Sequence, residues 1–415
     1  MGKTAAGVLA CWAVLLSTAA FATPPKTTPA ALAPLVANVD FYGADVPSAY
    51  LDQPLLAQVA APSAPRSASG HGVIVAVIDN GVDPFNPVLQ GSLLTTEGWN
   101  FYNGTANWSA WADLTASGGG QRSVLSALLH AAAVGKCPVI KPLPQAAGAV
   151  LSGTTTTTAL LATSDSADGG DDPKQALQLI SAIVHCDPAF GHGTAVAGLI
   201  HLIAPEAAIL PIKAFGPGEE ATVASIVNSI HYAVAHHARV INLSFSAASA
   251  DPLIQEAIAG AIRQGVVVVA AAGNGDVSAA TYPASQPGVI GVGAVDGCLP
   301  GAPAQLCVAA PLPERALFSN FDPPSGILDA EVGAPGVRVL TTFPGFGLVW
   351  AVSSGTSFSA AIVAGEAALL AGSGQTAAQI AAEIEASSDP AIPADADGGL
   401  GYGMVQILGA LKLEH

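Results

Sequence analysis

From Gly72 onward, short and largely apolar runs punctuate the chain. The first is Val73-Ile74-Val75-Ala76-Val77-Ile78, and similar runs recur at 208–215, 240–245, 266–271 and 289–295. A run that is apolar at every position is expected of a strand covered on both faces. Helical patterns lie between several of these runs. Val223, Ile226, Val227 and Ile230 fall at helical spacing within 221–237. Residues 251–264 open on Asp251-Pro252 and carry Leu253, Ile254, Ala257 and Ile258. Two further apolar stretches, 195–203 and 359–370, read as helices. Strands alternating with helices predict right-handed βαβ units, and so an α/β fold with a doubly wound parallel sheet covered by helices on both faces.

Two regions break this rhythm. Residues 23–69 are rich in Pro, Ala and Thr with few periodic segments, and read as an extended or partly ordered N-terminal extension. Residues 91–187 contain Gly118-Gly119-Gly120, a threonine run at 154–158 and the polar stretch 164–172, and read as one long insertion between core elements. At the N-terminus, Lys3, the apolar stretch 8–16 and the small-x-small site Ala20-Phe21-Ala22 read as an export signal cleaved after Ala22. The expected organisation is therefore a signal at 1–22, an extension at 23–69 and one domain at 70–412 carrying the insertion.

Composition narrows the function classes. Hydrophobic residues make up 51% against 10% charged, the opposite of the balance disorder requires. The mean hydropathy of +0.51 raises the question of a membrane protein. Beyond residue 22, however, no uncharged apolar run is long enough to span a bilayer. Thirteen Lys and Arg stand against 30 Asp and Glu, a net charge of −17. So acidic a chain repels phosphate backbones, so no nucleic-acid partner is expected. After the leader, four cysteines remain: Cys137, Cys186, Cys298 and Cys307. An even number in an exported chain favours disulfides, with three pairings open. Cys298 and Cys307 bracket a Pro/Gly/Ala loop, which favours that pair and leaves Cys137 with Cys186. Zinc would need close Cys-x-x-Cys or His spacing, which is absent.

Three motifs carry candidate chemistry. The first apolar run ends in Ile78-Asp79-Asn80-Gly81-Val82-Asp83, and the carboxyl end of a strand is where an α/β sheet places ligands. Phe190-Gly191-His192-Gly193-Thr194 opens one helical stretch, and Ser353-Ser354-Gly355-Thr356-Ser357-Phe358 opens another. Singly, a serine at a helix start is often an N-cap and a histidine there a surface residue. Together they supply the three groups acyl transfer needs. The Ser357 hydroxyl is a poor nucleophile until a base takes its proton, and His192 has the pKa range to do so. Asp79 would fix the imidazole tautomer and stabilise the imidazolium. Asn274, after the run at 266–270, could donate its amide to a developing oxyanion, with the Ser357 N–H as second donor.

These segments resemble the subtilisin-like serine proteases. The similarity rests on VIDNGVD at 77–83, GHGTAVAG at 191–198, VINLS at 240–244, AAAGN at 270–274 and SGTSFSAAIVAG at 354–365. APG at 334–336 and Gly401-Tyr402-Gly403 add to it. The resemblance implies charge-relay roles for Asp79, His192 and Ser357 and an oxyanion role for Asn274. It implies that Ser244-Phe245-Ser246 and Ala271-Ala272-Gly273 are the strands that grip a peptide, and that Tyr282-Pro283 is a cis peptide. Departures are Asn80 for the usual Ser or Thr, Ala195 for a second His, and Phe358, Ala361 and Ile362 around the nucleophile. The turn Asn86-Pro87-Val88-Leu89 lacks the family's calcium-binding Asp and the following helix lacks the usual loop, so no metal and no cofactor are expected.

The resulting expectation is an exported serine endopeptidase acting on protein or peptide substrates through a Ser357 acyl-enzyme. Its first specificity pocket carries no charge, which favours uncharged side chains before the cut bond. A catalytically silent exported binding protein of the same fold is the alternative. The related Ser-Glu-Asp acid peptidases are disfavoured by His192. The insertion is expected to be an accessory beside the cleft rather than a support of the triad. Oligomeric state is not legible.

Overall fold

The computed structural model describes residues 38–53, 55–56, 59, 68–115, 156–161, 187, 189–296, 313–322, 331–345, 349–390 and 399–412. The leader at 1–22 and all five cysteines, with the pairings expected of them, lie outside the described residues. Strands are numbered β1 Asn38–Phe41, β2 Ala44–Pro47, β3 Ile74–Asp79, β4 Trp99–Asn100, β5 Thr156–Leu161, β6 Ala208–Lys213 and β7 Val240–Leu243. They continue as β8 Val267–Ala271, β9 Val289–Asp296, β10 Glu314–Arg315, β11 Val332–Pro335, β12 Val339–Phe343 and β13 Val349–Ser354. The helices are α1 Ser48–Leu51, α2 Ala112–Thr115, α3 His192–Ile203 and α4 Val223–Ala235. They are followed by α5 Pro252–Arg263, α6 Thr356–Gly372, α7 Ala377–Ser387 and α8 Ile407–Lys412.

The main sheet runs β10-β9-β8-β7-β3-β6-β4, with β11 also on β9. Its pairs are parallel except β10 with β9. Successive side chains on a strand point to opposite faces, and the apolar runs split accordingly. Val75, Val77, Val240, Val267 and Val269 pack with Leu199 and Ile200 of α3 and Ala364, Ala368 and Leu369 of α6. Ala76, Ile78, Ile241, Leu243 and Val268 pack with Ile226 and Ile230 of α4 and Ile258 of α5. This is the doubly wound α/β fold that the sequence pattern predicts.

Local signals start the helices. At α4, the Thr222 hydroxyl accepts the Ser225 N–H at 3.0 Å and the Ser225 hydroxyl accepts the Thr222 N–H at 3.1 Å, a capping box. At α5, Asp251 accepts from Leu253 and Ile254 N–H groups, and Pro252 follows it. The helix pattern at 359–370 begins earlier, at Thr356, and that at 195–203 begins at His192. Small polar and glycine residues in those first turns gave no apolar periodicity to read.

Two stretches carry order that the sequence pattern does not announce. Within 23–69, β1 and β2 form an antiparallel hairpin joined by Tyr42 and Gly43, both at positive φ. Tyr50 of α1 is fully buried, and its hydroxyl donates to Gly198 O at 2.6 Å. Gln53 exchanges hydrogen bonds with Leu340: its amide donates at 2.9 Å and its carbonyl accepts at 3.0 Å. The reason is long-range packing, which leaves no periodic trace in so short a segment. The second stretch is the insertion. Its first part does not leave the core at Gly91: β4 joins the main sheet beside β6, and Leu94 N–H donates to Ile209 O at 2.9 Å. Further on, β5 adds to β13 in a three-stranded antiparallel sheet with β12.

Helix α6 is buried along nearly its whole length, and Glu366 sits inside it at 1% exposure. Neither carboxyl oxygen has a hydrogen-bond partner among the described residues. Burial pushes this group up from the ordinary 4.5 to about 8. The unfolded chain therefore releases the proton first as pH rises, and stability falls between about pH 4.5 and 8. The loss is on the order of 5 kcal/mol. We predict that Glu366→Gln, neutral at every pH, gains stability relative to wild type across this range. Paired denaturant unfolding at about pH 5 and pH 8 checks it. A difference between the two proteins that does not change with pH contradicts the prediction.

Candidate active site

Three main-chain elements converge at the carboxyl edge of the sheet. Asp79 is the last residue of β3 and is 4% exposed. His192 is the first residue of α3, entered through Gly191 at φ 83°. A Cβ on Gly191 would stand 2.5 Å from the Phe343 ring, so neither the backbone angle nor the space suits another residue. At Gly193 a Cβ would press on Gly81 O and stand 3.0 Å from Asp79 Oδ1. Glycine there lets α3 approach the end of β3 closely.

The His192 Nδ1 lies 2.8 Å from Asp79 Oδ1 and 3.0 Å from Oδ2. An ionised carboxylate only accepts, so Nδ1 carries the proton and Nε2 is left as the basic nitrogen. Burial alone would lower the imidazole pKa. The Asp79 charge and hydrogen bond, with a smaller contribution from Glu219, outweigh it, and the His192 pKa lies above its ordinary value.

Asn80 completes this corner. Its N–H donates to Asp79 Oδ1 at 2.8 Å, and its side-chain carbonyl accepts the Gly193 N–H at 3.0 Å. Its amide donates to Ala189 O. The residue that departs from the usual Ser or Thr thus clamps the His192 helix start to the end of β3. The ring of Phe358, another departure, lies 5.6 Å from that of His192. Ala195, Ala361 and Ile362 are buried.

Ser357 lies in the first turn of α6 at 4% exposure. Its hydroxyl donates to Ser244 O at 3.1 Å, and the Ser244 hydroxyl donates back to Ser357 O at 3.1 Å. The position of Ser357 is thereby tied to the segment that follows β7. Asn274 follows β8. Its side-chain carbonyl accepts both the Thr356 N–H and the Thr356 hydroxyl at 2.9 Å. With the oxygen so held, the amide N–H groups are the ones presented outward. The Thr356 hydroxyl also accepts the Gly273 N–H at 3.1 Å.

The segments 244–246 and 271–273 continue the adjacent parallel strands β7 and β8. Ser246 Oγ faces Gly273, 2.8 Å from where a Cβ would stand. Tyr282-Pro283 is cis. Sequence reasoning missed Asn320, which is 3% exposed. Its N–H donates to Gly273 O and its amide to Ala272 O, both at 2.9 Å. Its side-chain carbonyl accepts the Gly275 and Val277 N–H groups at 2.9 and 3.2 Å. No pattern marks a single polar residue of that kind. At the turn compared above with a calcium site, Asn86 donates to Phe343 O at 3.2 Å and accepts the Val88 N–H at 3.1 Å. With Val88 beside it, this turn does not fit a calcium ion. No cluster of three His, Cys, Asp or Glu side chains among the described residues could hold a metal.

A doubly wound sheet that brings Asp, His and a helix-start Ser to its carboxyl edge is the arrangement of a subtilisin-like serine hydrolase. Residues 70–403 match the model of the Subtilase family. Thermitase of Thermoactinomyces vulgaris is 32% identical over 209 residues, 48% of this chain and 67% of that protein. A thermophilic serine proteinase of Bacillus sp. (strain AK1) is 36% identical over 208 residues, 48% of this chain but 47% of its own length. Subtilisin BL of Lederbergia lenta is 33% identical over 189 residues, 43% of this chain and 62% of that protein. Among solved structures, a lanthipeptide protease aligns with a TM-score of 0.52 at 23% identity, covering 84% of this chain and 89% of that one, a likeness of fold. The chain belongs to the subtilase family, a family of serine proteases.

The Thr356 contacts generate a prediction. Thr356→Val keeps the side chain's shape, removes one of the two donors holding Asn274 and strands the Gly273 N–H. With the oxyanion role that the resemblance implies for Asn274, it should lower kcat about tenfold with little change in KM, because such an amide would be needed only as negative charge develops. Steady-state kinetics on a peptide ester checks this, and an effect confined to KM contradicts it.

Proposed function

We propose that the chain is an exported serine endopeptidase. Ser357 attacks the substrate carbonyl, His192 Nε2 takes its proton and returns it to the leaving amine, and Asp79 holds the imidazole. Asn274 and the Ser357 N–H receive the oxyanion. The carrying observation is the 2.8 Å contact of His192 Nδ1 with Asp79, which leaves Nε2 basic beside the serine-bearing helix. Segments 244–246 and 271–273 bind the peptide, and the uncharged side chains there favour uncharged residues before the cut bond. Residues 1–22 direct export, 23–69 form an extension and 70–412 the peptidase domain. No helix among the described residues is long and apolar enough to cross a membrane.

The competing reading, a silent binding protein on the same fold, has one observation in its favour. The Ser357 hydroxyl donates to Ser244 O. A single rotation about χ1 redirects that hydroxyl, and apo hydrogen bonds at such sites are often incomplete.

A fluorophosphonate probe separates the two. Wild-type protein should take one label, mapped by mass spectrometry to Ser357, while Ser357→Ala and His192→Ala should take none. A folded wild-type protein that stays unlabelled overturns the peptidase reading.

A further inference from the structure

Lys213 closes β6 directly across from Asp79 in the β3–β6 register and is 1% exposed. A buried ammonium is costly unless it is paired and its donors are satisfied. Here three acceptors meet its three N–H groups: the carbonyl of Asn80, the carbonyl of Phe215 at 2.8 Å, and Asp113 Oδ2 at 2.8 Å. Asp113 belongs to α2, within the stretch between Asp79 and His192 that was expected to be a mere accessory.

The Asn80 carbonyl is not an arbitrary acceptor. The N–H of that residue holds the Asp79 carboxylate, and its side chain holds Gly193 and Ala189 on either side of His192. Fixing its carbonyl fixes the backbone from which both contacts are made. The neighbouring carbonyl, that of Asp79, is held by the N–H groups of Ala214 and Phe215 at 2.8 and 3.3 Å. The end of β3 is therefore tied down from the β6 side twice, by the N–H groups that follow β6 and by the ammonium of its last residue. The insertion supplies the charge that keeps the ammonium there.

We propose that Asp113 and Lys213 form a positioning pair for the charge relay, acting through Asn80 on Asp79 and His192. This inference rests on the peptidase reading above. Neither residue touches substrate. The insertion is in this respect part of the triad's support.

The test uses the full chain with three variants: Asp113→Asn, Lys213→Met, and Asp113→Leu combined with Lys213→Met. Rates are expressed per fluorophosphonate-titrated site, so unfolded protein does not count. Asp113→Asn keeps an oxygen for the ammonium and should fold. Its kcat should fall about tenfold with KM within about twofold, as expected when catalytic groups are slightly misplaced. The low-field proton resonance of the His192 Nδ1–H should shift or broaden. The double variant leaves no unpaired buried charge, so it should be more stable than Lys213→Met alone while keeping the kcat deficit. Wild-type kcat and an unmoved Nδ1–H resonance in Asp113→Asn overturn the proposal. So does a double variant in which kcat returns along with stability, since the pair would then be structural only. Failure of wild-type protein to label at Ser357 would instead strike at the peptidase reading itself.

Discussion

The helix that carries Ser357 is enclosed by the protein, and the geometry of the cleft depends on that enclosure. Residues from Thr356 to Ala371 are buried on every side of α6. The helix lies against α3 and the sheet, among Ala360, Ala364, Ala368, Val269 and Ile200. Interiors this closely packed do not deform continuously. The height and direction of Ser357 are therefore set by core side chains rather than by a loop. Only the first turn reaches the carboxyl edge of the sheet, where β3 delivers Asp79 and β7 and β8 deliver the flanking segments. The enclosure also explains the mostly apolar sequence after Phe358, and makes Glu366 conspicuous as a carboxyl without a hydrogen-bond partner among the described residues.

Around that fixed helix, a small set of polar residues converts rough proximity into defined geometry. Thr356 sets which end of the Asn274 amide faces out. Asn320 ties down the loop that holds Asn274. Asn80 joins the two elements carrying Asp79 and His192. Each is hydrogen-bonded at several points in a region of low dielectric, where a satisfied network specifies one arrangement strongly. The hairpin at β1–β2 and α1 belongs to the same logic at longer range. Through Tyr50 and Gln53 it braces α3 and β12.

Much of this was legible in the chain. The apolar runs locate β3, β6, β7, β8 and β9, because a strand buried on both faces needs apolar residues at most positions on both faces. The short motifs around Asp79, His192, Asn274 and Ser357 were legible because glycines and small polar residues cluster where the chain must turn sharply beside a reacting group. What escaped notice shares one property: it depends on pairs remote in sequence. Lys213 ends β6 inside the run at 208–215 and would pass for a solvent-facing strand end; its partner Asp113 lies in a stretch with no periodicity. Asn320 is one asparagine in an irregular segment. The hairpin turn is Tyr42-Gly43 rather than the asparagine-glycine pair that usually announces one. The pairing of β4 and β5 is hidden for the same reason, since β4 has two residues and β5 opens on a threonine run, and each is recognised only by what it pairs with.

In the proposed mechanism Asp79, His192 and Ser357 act as one unit. Groups that act as a unit show strongly non-additive losses. The direct measurement is the residual peptidase rate of Ser357→Ala compared with that of the triple alanine variant at all three positions. The two rates should be the same, because the base and its carboxylate have nothing to act on once the hydroxyl is gone. A triple variant whose rate falls well below that of Ser357→Ala would mean that the three side chains contribute separately, and would contradict that mechanism.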